Sequence, residues 1–426
     1  MSKLALFGGP KTITESFSRY NSIGKEEEEA AREVIKSGVL SKFLGCWDPD
    51  FYGGPKVREF ERAWERYFGV KHAVTVNSNT SGLVAAIGAI GVEPGDEVIV
   101  SPWTMSASAT SILVWNAIPV FADIEEETFN LDPASIEKNI TPYTKAIMVS
   151  DIFGHGADLD GIMDIARQNK LKVIEDAAQA PGAYYKDRYV GTIADIGVFS
   201  LNYHKHIHTG EGGVCVTNDP TLCERLQLIR NHAESVVGDR GITNLSNMIG
   251  FNFRMTEIEA AIGIEQLKKL LGLVNQRSAA ADRLTAGIGD LPGLRPPVVK
   301  ADCTHVYYVY PLVYQRRETG IDRKTIFAAL QAEGVPISGG YQNLHLLPIY
   351  QKRIAYGKLG FPWTADFYRG QVSYAKGICP LAEFLHDESF LQIGLCSHTF
   401  HDHEIDLVVD AFRKVWDHLD ELKKGR

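Results

Sequence analysis

The feature that most restricts the fold is a regular alternation of short apolar segments with helical segments between residues 57 and 230. The apolar segments are five or six residues long and are separated by turn sequences such as Gly95-Asp96 and Asn169-Lys170. Strands that alternate with helices pair in parallel and bury both of their faces. The pattern therefore predicts an α/β fold with a mostly parallel central sheet flanked by helices. The predicted strands are 72–76, 97–101, 118–122, 145–150, 172–176, 196–201 and 213–217, and the predicted helices between them are 80–90, 105–116, 133–138, 159–168 and 220–230.

The rest of the chain divides into an arm and a second, smaller domain. Residues 1–16 are expected to form an extended N-terminal arm, and residues 17–275 the large domain. Residues 276–426 are expected to form a small α+β domain, because a β-rich segment at 305–314 follows a break rich in proline and glycine. An apolar stripe on one face predicts a last helix at 402–423.

Charge and composition exclude several classes of partner. The 426-residue chain has a net charge of −9, so no general basic surface indicates a nucleic acid or an anionic membrane. The N-terminus lacks a signal sequence, and no apolar segment reaches the ~18 residues of a membrane span. Six cysteines without metal-ligand spacing favour a reduced, cytoplasmic protein. His204, His206 and His208 have no cysteine or carboxylate clustered with them, so no metal site is predicted.

One lysine stands at the end of a predicted buried strand rather than on a helix surface. Lys205 follows the strand 196–201 and precedes a glycine-rich turn at 210–213. Burial and neighbouring cationic groups lower the pKa of a lysine and make its neutral amine available as a nucleophile. Such a lysine can bind pyridoxal phosphate (PLP) covalently. The alternative is a solvated loop lysine among histidines.

A carboxylate at the end of a second strand fits the same cofactor. Asp176 ends the strand 172–176, and ligands of open α/β sheets bind at the carboxyl ends of strands. There Asp176 could pair with the protonated ring nitrogen of PLP, while the amide of Gln179 could reach the phenolic oxygen. Taken alone, Asp176 fits the N-cap of a helix better.

The turn after the first strand suits a phosphate group. The strand 72–76 runs into a series of small polar residues before a helical pattern begins. Free backbone N–H groups at a helix start, with the hydroxyls of Ser78 and Thr80 beside them, can bind phosphate. Simple helix capping would require only one of these residues.

Together these segments resemble the DegT/DnrJ/EryC1/StrS family, the sugar aminotransferases of the fold type I, aspartate aminotransferase-like PLP enzymes. The lysine segment of that family, Phe-Ser-Phe-His-Pro-x-Lys-x-Ile-Thr-Thr-Gly-Glu-Gly-Gly, is similar to Phe199–Gly213, with Lys205 in the lysine place. Three further segments match in the expected order. They are Ser78–Thr80 for the Ser-Gly-Thr phosphate turn, Glu175–Gln179 for Glu-Asp-Ala-Ala-Gln, and Asn252–Thr256 for Asn-Tyr-Arg-Met-Thr.

The resemblance implies a PLP-dependent aminotransferase, with pyridoxamine phosphate (PMP) as the aminated form of the cofactor. It implies two catalytic residues, Lys205 as the group that binds PLP and carries the proton, and Asp176 as the partner of the ring nitrogen. The cofactor-binding residues that it implies are Lys205, Asp176, Gln179, Ser78, Asn79, Thr80, Met105, Ser200 and Asn252.

Three departures from the family pattern concern the pocket. Asn79 stands in the glycine place of the phosphate turn, although Asn also tolerates left-handed geometry. Met105 stands where the family often has an aromatic residue on the PLP ring, so either Met105 or Trp103 is expected to cover the ring. Asn202–His204 replaces His-Pro-x on the substrate side. Substrate contacts are expected from Trp103, His204, Tyr341, His345 and Glu383.

The resemblance implies that the acceptor of the amino group is a keto sugar, most often a nucleotide-linked one. The alternative acceptor is a keto-cyclitol. The implied donor of the amino group is glutamate or glutamine. Two other functions stay open, a PLP-dependent sugar dehydratase and a non-catalytic regulatory protein of the same fold. Lys205 opposes the first, because dehydratase relatives carry histidine in that place. Retention of Lys205, Asp176 and Gln179 together opposes the second.

The resemblance also implies an assembly. Asn252 lies in a loop-like stretch before a long helix. In relatives the matching asparagine reaches the PLP phosphate of the neighbouring subunit. A homodimer with shared active sites is therefore expected, and the alternative is an ordinary turn residue with no partner across an interface.

Overall fold

The computed structural model describes residues 3–425, so the first two residues of the predicted arm and the last residue of the predicted small domain lie outside the described residues. Thirteen strands are present in this part of the chain. They are β1 (His72–Val76), β2 (Glu97–Val100), β3 (Ile118–Phe121), β4 (Thr144–Ser150), β5 (Lys172–Asp176), β6 (Tyr184–Tyr185), β7 (Arg188–Tyr189), β8 (Ile196–Ser200), β9 (Gly213–Thr217), β10 (Leu294–Arg295), β11 (Tyr310–Tyr314), β12 (Ile337–Gly339) and β13 (Phe390–Ile393).

Seven of these strands form the central sheet, in the order β1-β9-β8-β5-β4-β2-β3. The five strands β8, β5, β4, β2 and β3 are parallel to one another, and β9 runs antiparallel to both β1 and β8. Every residue of β2, β3, β8 and β9 is buried, as expected for strands covered on both faces. The prediction of an α/β fold with a mostly parallel sheet is confirmed.

Fourteen α-helices flank this sheet or lie elsewhere in the described part of the chain. They are α1 (Lys25–Ser37), α2 (Pro55–Phe68), α3 (Asn79–Ala89), α4 (Ser106–Val114), α5 (Pro133–Asn139), α6 (Leu159–Asn169), α7 (Pro220–Arg230), α8 (Glu257–Ile288), α9 (Arg316–Thr319), α10 (Arg323–Ala332), α11 (Pro348–Gln351), α12 (Pro380–Phe384), α13 (Asp402–Asp417) and α14 (Leu419–Lys424). No helix within residues 3–425 is both long and apolar enough to cross a membrane.

A second sheet and a second apolar core lie in the C-terminal part. Strands β10, β11, β13 and β12 form an antiparallel sheet in that order. The helix α8 connects the two cores, because its first turns pack in the large core and Ala281, Leu284 and Ile288 belong to the second core. The predicted domain boundary at 275/276 falls within this helix, and it stays a prediction.

The topology brings the ends of several strands to one edge. Strands β4, β5 and β8 are parallel and end at Ser150, Asp176 and Ser200. The strand β9 begins at this edge, with Gly213 paired to both Ser200 and Val76. Because open α/β sheets bind ligands at the carboxyl ends of their strands, this edge is where a site is expected.

Candidate active site

A cavity of about 220 Å³ opens at the carboxyl edge of the central sheet. Residues from three of the four family motifs line it, those of Ser78–Thr80, Glu175–Gln179 and Phe199–Gly213, so the fold brings these three motifs together. The predicted site residues among its lining are Ser78, Asn79, Thr80, Met105, Asp176, Gln179, Ser200, His204, Lys205 and Tyr341.

Lys205 is a buried lysine at the centre of this cavity. It lies in the turn after β8, where its backbone N–H donates to the carbonyl oxygen of Asn202 at 2.9 Å. Only 7% of the residue is exposed, and Nζ lies 4.3 Å from the ring centroid of Tyr308. Burial lowers the pKa of Lys205 to about 8, and the negative charge of Asp176 opposes this shift. A substantial fraction of the amine is therefore neutral near physiological pH.

This pKa predicts how covalent PLP capture depends on pH. The neutral amine is the nucleophile, and its fraction rises as the pH increases through about 8. Mixing PLP-free protein with PLP should therefore give a capture rate that rises about tenfold per pH unit from pH ~6 and levels off above pH ~8.5. Stopped-flow absorbance measures this rate. A rate that keeps rising to pH ~10, as for a solvated lysine, would contradict the assignment.

Asp176 is held by three hydrogen-bond donors. Its carboxylate accepts from the hydroxyl of Ser108 at 2.8 Å, the side-chain amide of Asn79 at 3.2 Å and the backbone N–H of Ala178 at 3.3 Å. Burial raises the pKa of Asp176, whereas these donors and the charge of Lys205 lower it. A turn follows β5, so Asp176 does not cap a helix. The carboxylate instead faces the cavity, where a protonated ring nitrogen would neutralise it.

Gln179 lies in the same wall with its amide oriented by the backbone. Its Oε1 accepts from the backbone N–H of Phe153 at 2.8 Å. The amide nitrogen of Gln179 therefore lies towards Tyr341, where it can donate a hydrogen bond. Burial raises the pKa of Tyr341, and the hydrogen bond with Gln179 lowers it in part. This orientation suits an acceptor such as a phenolic oxygen.

The start of α3 forms the third wall. Ser78 caps this helix, since its hydroxyl accepts from the backbone N–H of Ser81 at 3.1 Å. The backbone N–H groups of Asn79 and Thr80 have no acceptor within residues 3–425. A Cβ on Gly213 would lie 2.8 Å from the nitrogen of Asn79, so only glycine lets β9 pass this turn. The wall therefore presents free N–H groups at a helix start, which fits a phosphate.

Asn79 stands where the family's phosphate turn has glycine, but its side chain forms hydrogen bonds that a glycine could not form. It is the first residue of α3 and has no positive φ, so the tolerance of Asn for left-handed geometry does not explain it. Its side-chain amide donates to Asp176 at 3.2 Å and to the carbonyl oxygen of Val198 at 3.3 Å. Asn79 thus links the phosphate turn to the ring carboxylate.

The side chains of Met105 and Trp103 lie in different environments. Met105 is 65% exposed and lines the cavity, so it is positioned to cover a ring there. Trp103 is fully buried in an aromatic cluster with Phe129 and Phe390, and its Nε1 donates to Asn343 at 2.8 Å. Trp103 does not line the cavity but lies in the core, and its contact with substrate or ring stays a prediction.

His345 and Glu383 also lie away from the cavity. The Nε2 of His345 is 2.9 Å from Oε1 of Glu383, and both residues are buried. Glu383 accepts from the backbone N–H of Gly377 as well. These two residues form a buried pair that joins the segment after β12 to α12, and their substrate contacts stay a prediction.

Two predicted substrate residues, His204 and Tyr341, do line the cavity. Burial and the neighbouring charge of Lys205 lower the pKa of His204 to about 4, so its imidazole is neutral at physiological pH. Asn252 is exposed and does not line the cavity of its own chain. Its Oδ1 accepts from Nε of Arg254 at 2.9 Å.

Ser108, Tyr308 and Asp151 are among the residues of the site that the sequence did not predict. Ser108 donates to Asp176, Tyr308 faces the amine of Lys205, and Asp151 lines the cavity beside β5. Ser108 lies one helical turn after Met105 on α4, which is a usable signal. Tyr308 comes from the C-terminal part, and no local pattern connects it with the lysine motif.

Fold and cavity together define a PLP-dependent transferase of fold type I. A buried lysine, a hydrogen-bonded carboxylate and a helix start surround one space, and these are the groups that the amine-reactive carbon, the ring nitrogen and the phosphate of PLP require. The residues present therefore fit the cofactor.

Comparison with known proteins agrees with this class. The family model "DegT/DnrJ/EryC1/StrS aminotransferase family" matches residues 21–379. GDP-perosamine synthase of Caulobacter vibrioides is 37% identical over 72% of this chain and 82% of its own length. L-glutamine:scyllo-inosose aminotransferase of Streptomyces griseus is 31% identical over 99% of this chain and 100% of its own. The X-ray structure of the aminotransferase from Psychrobacter cryohalolentis superposes with a TM-score of 0.79 at 30% identity, covering 95% of this chain and 100% of that chain.

The chain belongs to the DegT/DnrJ/EryC1/StrS aminotransferase family, and it is a sugar aminotransferase that uses PLP. The resemblance read from the motifs is thereby confirmed.

Proposed function

We propose that this enzyme transfers an amino group from glutamine or glutamate to the keto group of a cyclic polyhydroxy acceptor. The observation that carries the proposal is the placement of Lys205 and Asp176 on the wall of one cavity, each buried and each with its charge set by its surroundings. When bound, PLP supplies the electron sink for this chemistry.

The residues of the chain divide the work between them. Nζ of Lys205, neutral in part at physiological pH, is the group that would take the proton from the α-carbon of the donor in the first half-reaction and supply a proton to the aminated carbon of the acceptor in the second. Asp176 holds the ring nitrogen in its protonated form. The start of α3 binds the phosphate, and Met105 and Tyr341 bound the space from which water must be excluded.

Two classes of acceptor compete, a nucleotide-linked keto sugar and a keto-cyclitol. The sequence resemblance ranks the first class higher. Two observations favour the second. Lys205 is the only Lys or Arg that lines the cavity within residues 3–425, so the described cavity offers a diphosphate no cation besides the lysine assigned to the cofactor. The scyllo-inosose aminotransferase also aligns with 99% of this chain, and GDP-perosamine synthase with 72%.

An amine-transfer screen decides between these classes. The PMP-loaded enzyme is mixed with a panel of keto-cyclitols and nucleotide-linked keto sugars, and the aminated products are measured by mass spectrometry. We expect transfer to a keto-cyclitol and little to the diphosphate-bearing sugars. Transfer only to nucleotide-linked sugars would overturn the choice of acceptor but not the activity, and transfer to neither class would overturn the activity.

We further propose that the working unit is a cytoplasmic homodimer whose subunits share their active sites. Three features support this. Asn252 is exposed and does not face its own cavity, and the large apolar side chains of Leu44, Leu245 and Ile249 in the neighbouring loops are 44, 59 and 63% exposed. A second copy of the chain would cover them. The cysteines, all six of which are free thiols, suit a reducing compartment.

Mixing two inactive variants tests the shared site. Lys205→Ala and Asn252→Ala are each expected to be severely impaired, and subunit exchange between them creates heterodimers with one site that carries both lesions and one that carries neither. Activity should return to about one quarter of wild type for random mixing of a symmetric dimer. Absence of recovery, with exchange demonstrated by differential labelling, would place Lys205 and Asn252 in the site of the same chain.

A further inference from the structure

Within residues 3–425, no hydrogen-bond acceptor fixes the amine of Lys205. Its Nζ lies over the face of the Tyr308 ring, 4.3 Å from the centroid. The attraction of a cation to a ring face acts over several ångströms and does not by itself hold an amine at one point. The position of Nζ therefore depends on the backbone that carries it, the lysine loop of residues 205–209.

The side chain of His206 joins the lysine loop to the C-terminal part of the chain. His206 is fully buried, and its Nε2 lies 2.8 Å from the carbonyl oxygen of Val306. Burial and the nearby positive charge of Arg277 lower the pKa of His206 well below its ordinary range, so the imidazole is neutral and Nε2 carries the proton that it donates. Because Val306 precedes Tyr308 by two residues, this bond also connects the loop to the segment that bears Tyr308.

A tyrosine of the segment before α1 holds the backbone of the same residue. Tyr20 does not line the cavity, and its hydroxyl donates to the carbonyl oxygen of His206 at 2.7 Å. Cζ of Arg277 lies 4.2 Å from the centroid of the Tyr20 ring, and Nη1 of Arg277 donates to the carbonyl oxygen of Leu273 on α8 at 3.0 Å. The ring is thereby held beside α8, so its hydroxyl is a fixed donor to the lysine loop.

A buried glutamine of α8 holds the next part of the loop. Oε1 of Gln266 accepts from the backbone N–H of His208 at 3.2 Å and from the hydroxyl of Ser22 at 2.6 Å. Its Nε2 donates to the carbonyl oxygen of Ser22 at 3.0 Å and to Oε1 of Glu27 at 2.8 Å. Both groups of this amide are thus fully used. The network joins α1, the segment before it, α8 and the lysine loop.

We propose that Tyr20 and Gln266 are positioning residues of the reaction, which fix the lysine loop from outside the cavity and so hold the amine of Lys205 where the proton is transferred. Neither residue lines the cavity, and each acts through a backbone group of the loop. Displacing a reacting group by about 1 Å can cost about 10²-fold in rate, so a loosened loop should slow proton transfer. The inference rests on the proposed function only in taking Lys205 as the reactive amine.

Tyr20→Phe tests the proposal, because it removes the hydroxyl and keeps the ring beside Arg277. In the PLP-free protein, amide hydrogen exchange in residues 205–209 should be about tenfold faster, the contribution of one hydrogen bond, while exchange elsewhere is unchanged and the melting temperature falls by less than about 2 °C. In the PLP-loaded enzyme, the single-turnover rate with glutamine or glutamate should fall about tenfold, and the donor concentration for half-maximal rate should stay within about twofold.

A tyrosine with the same kind of bond far from the cavity is the matched control. The hydroxyl of Tyr356 donates to the carbonyl oxygen of Leu113 at 3.0 Å, and neither residue lines the cavity. Tyr356→Phe should therefore change neither the exchange of the lysine loop nor the single-turnover rate. Gln266→Met, which removes the acceptor of the His208 N–H, should act in the same direction as Tyr20→Phe. If Gln266→Met fails to fold, Tyr20→Phe decides.

Three results would overturn the positioning role. Faster exchange in the lysine loop with an unchanged single-turnover rate would show that the hydroxyl of Tyr20 stabilises the loop without placing the amine. Wild-type exchange and rate would show that it does neither. Faster exchange throughout the protein with a lower melting temperature would give Tyr20 a purely structural role. Lys205→Ala, measured beside these variants, separates this inference from the proposed function: if it is inactive while Tyr20→Phe is fully active, only the inference fails.

Discussion

Replacing Lys205 by alanine is expected to lower turnover by about 10³-fold or more, the largest effect of any single substitution in this chain. The reason is that one amine both binds the cofactor covalently and moves the proton, so no neighbouring group replaces it. Tyr308, which lies 4.3 Å from Nζ, offers a ring face and no base. Steady-state amine transfer from glutamine, at saturating PLP, measures the effect.

Two further variants control this experiment. Lys186→Ala removes an exposed lysine that pairs with Asp160 on the surface, and it should keep full activity. Lys205→Arg keeps a positive charge in the cavity but cannot act as the amine nucleophile at physiological pH, so it should be as inactive as alanine. Activity within tenfold of wild type in Lys205→Ala would exclude Lys205 as the catalytic base.

Replacing Asp176 by asparagine should have the second largest effect, with a fall in turnover of about 10²-fold. The amide keeps the size of the side chain and still accepts from Ala178, but it removes the negative charge that keeps the ring nitrogen protonated. The rate of proton abstraction from the donor, observed in single-turnover absorbance, should therefore fall while the melting temperature changes little.

A true helix cap provides the matched control for this substitution. Asp219 caps α7 by accepting from the backbone N–H of Thr221 at 2.7 Å, and asparagine caps almost as well as aspartate. Asp219→Asn should therefore retain both activity and stability. If Asp176→Asn behaved in the same way, Asp176 would be a structural residue only.

The sequence predicts the central sheet well because its strands are buried on both faces. Continuous runs such as Val173-Ile174 and 196–201 admit few other structures, and the turns between them are marked by glycine and asparagine. The long helix is less well predicted. The apolar pattern predicts a helix over residues 255–273, whereas α8 continues to Ile288. Its last turns pack against the second core, which forms only from segments far along the chain.

The site residues divide in the same way, into those whose position follows from the local sequence pattern and those whose position depends on distant segments. Motifs that lie at the ends of strands, those of Ser78, Asp176 and Lys205, meet because the sheet is parallel, and this follows from the pattern of the sequence. Residues on the C-terminal loops do not follow from it. His345 lies in a loop-rich stretch that is typical of a pocket lining, but its imidazole contacts Glu383 of α12 in the interior, and only the packing of these two distant segments decides this.

Trp103 and Asp151 show a further limit, which is the direction of a side chain. Trp103 lies two residues before Met105, yet it points into the aromatic core while Met105 lines the cavity. Asp151 directly follows a predicted strand, where its side chain could have faced the solvent. Whether such a residue faces the site is set by the turn after the strand, and turn geometry is weakly encoded in a single sequence.

We propose that this chain exchanges amino groups through PLP held at Lys205, and one spectroscopic titration tests this proposal most directly. PLP is added to the purified protein, then glutamine, then the keto acceptor found in the screen, and the absorbance is followed throughout. We predict a visible band that appears with PLP, disappears with glutamine and returns with the acceptor, and we expect no such cycle in Lys205→Ala, where the donor can form a Schiff base with PLP but the proton transfer is lost. A visible band that persists in excess glutamine and glutamate in the wild type, or a full cycle in Lys205→Ala, would contradict the proposal.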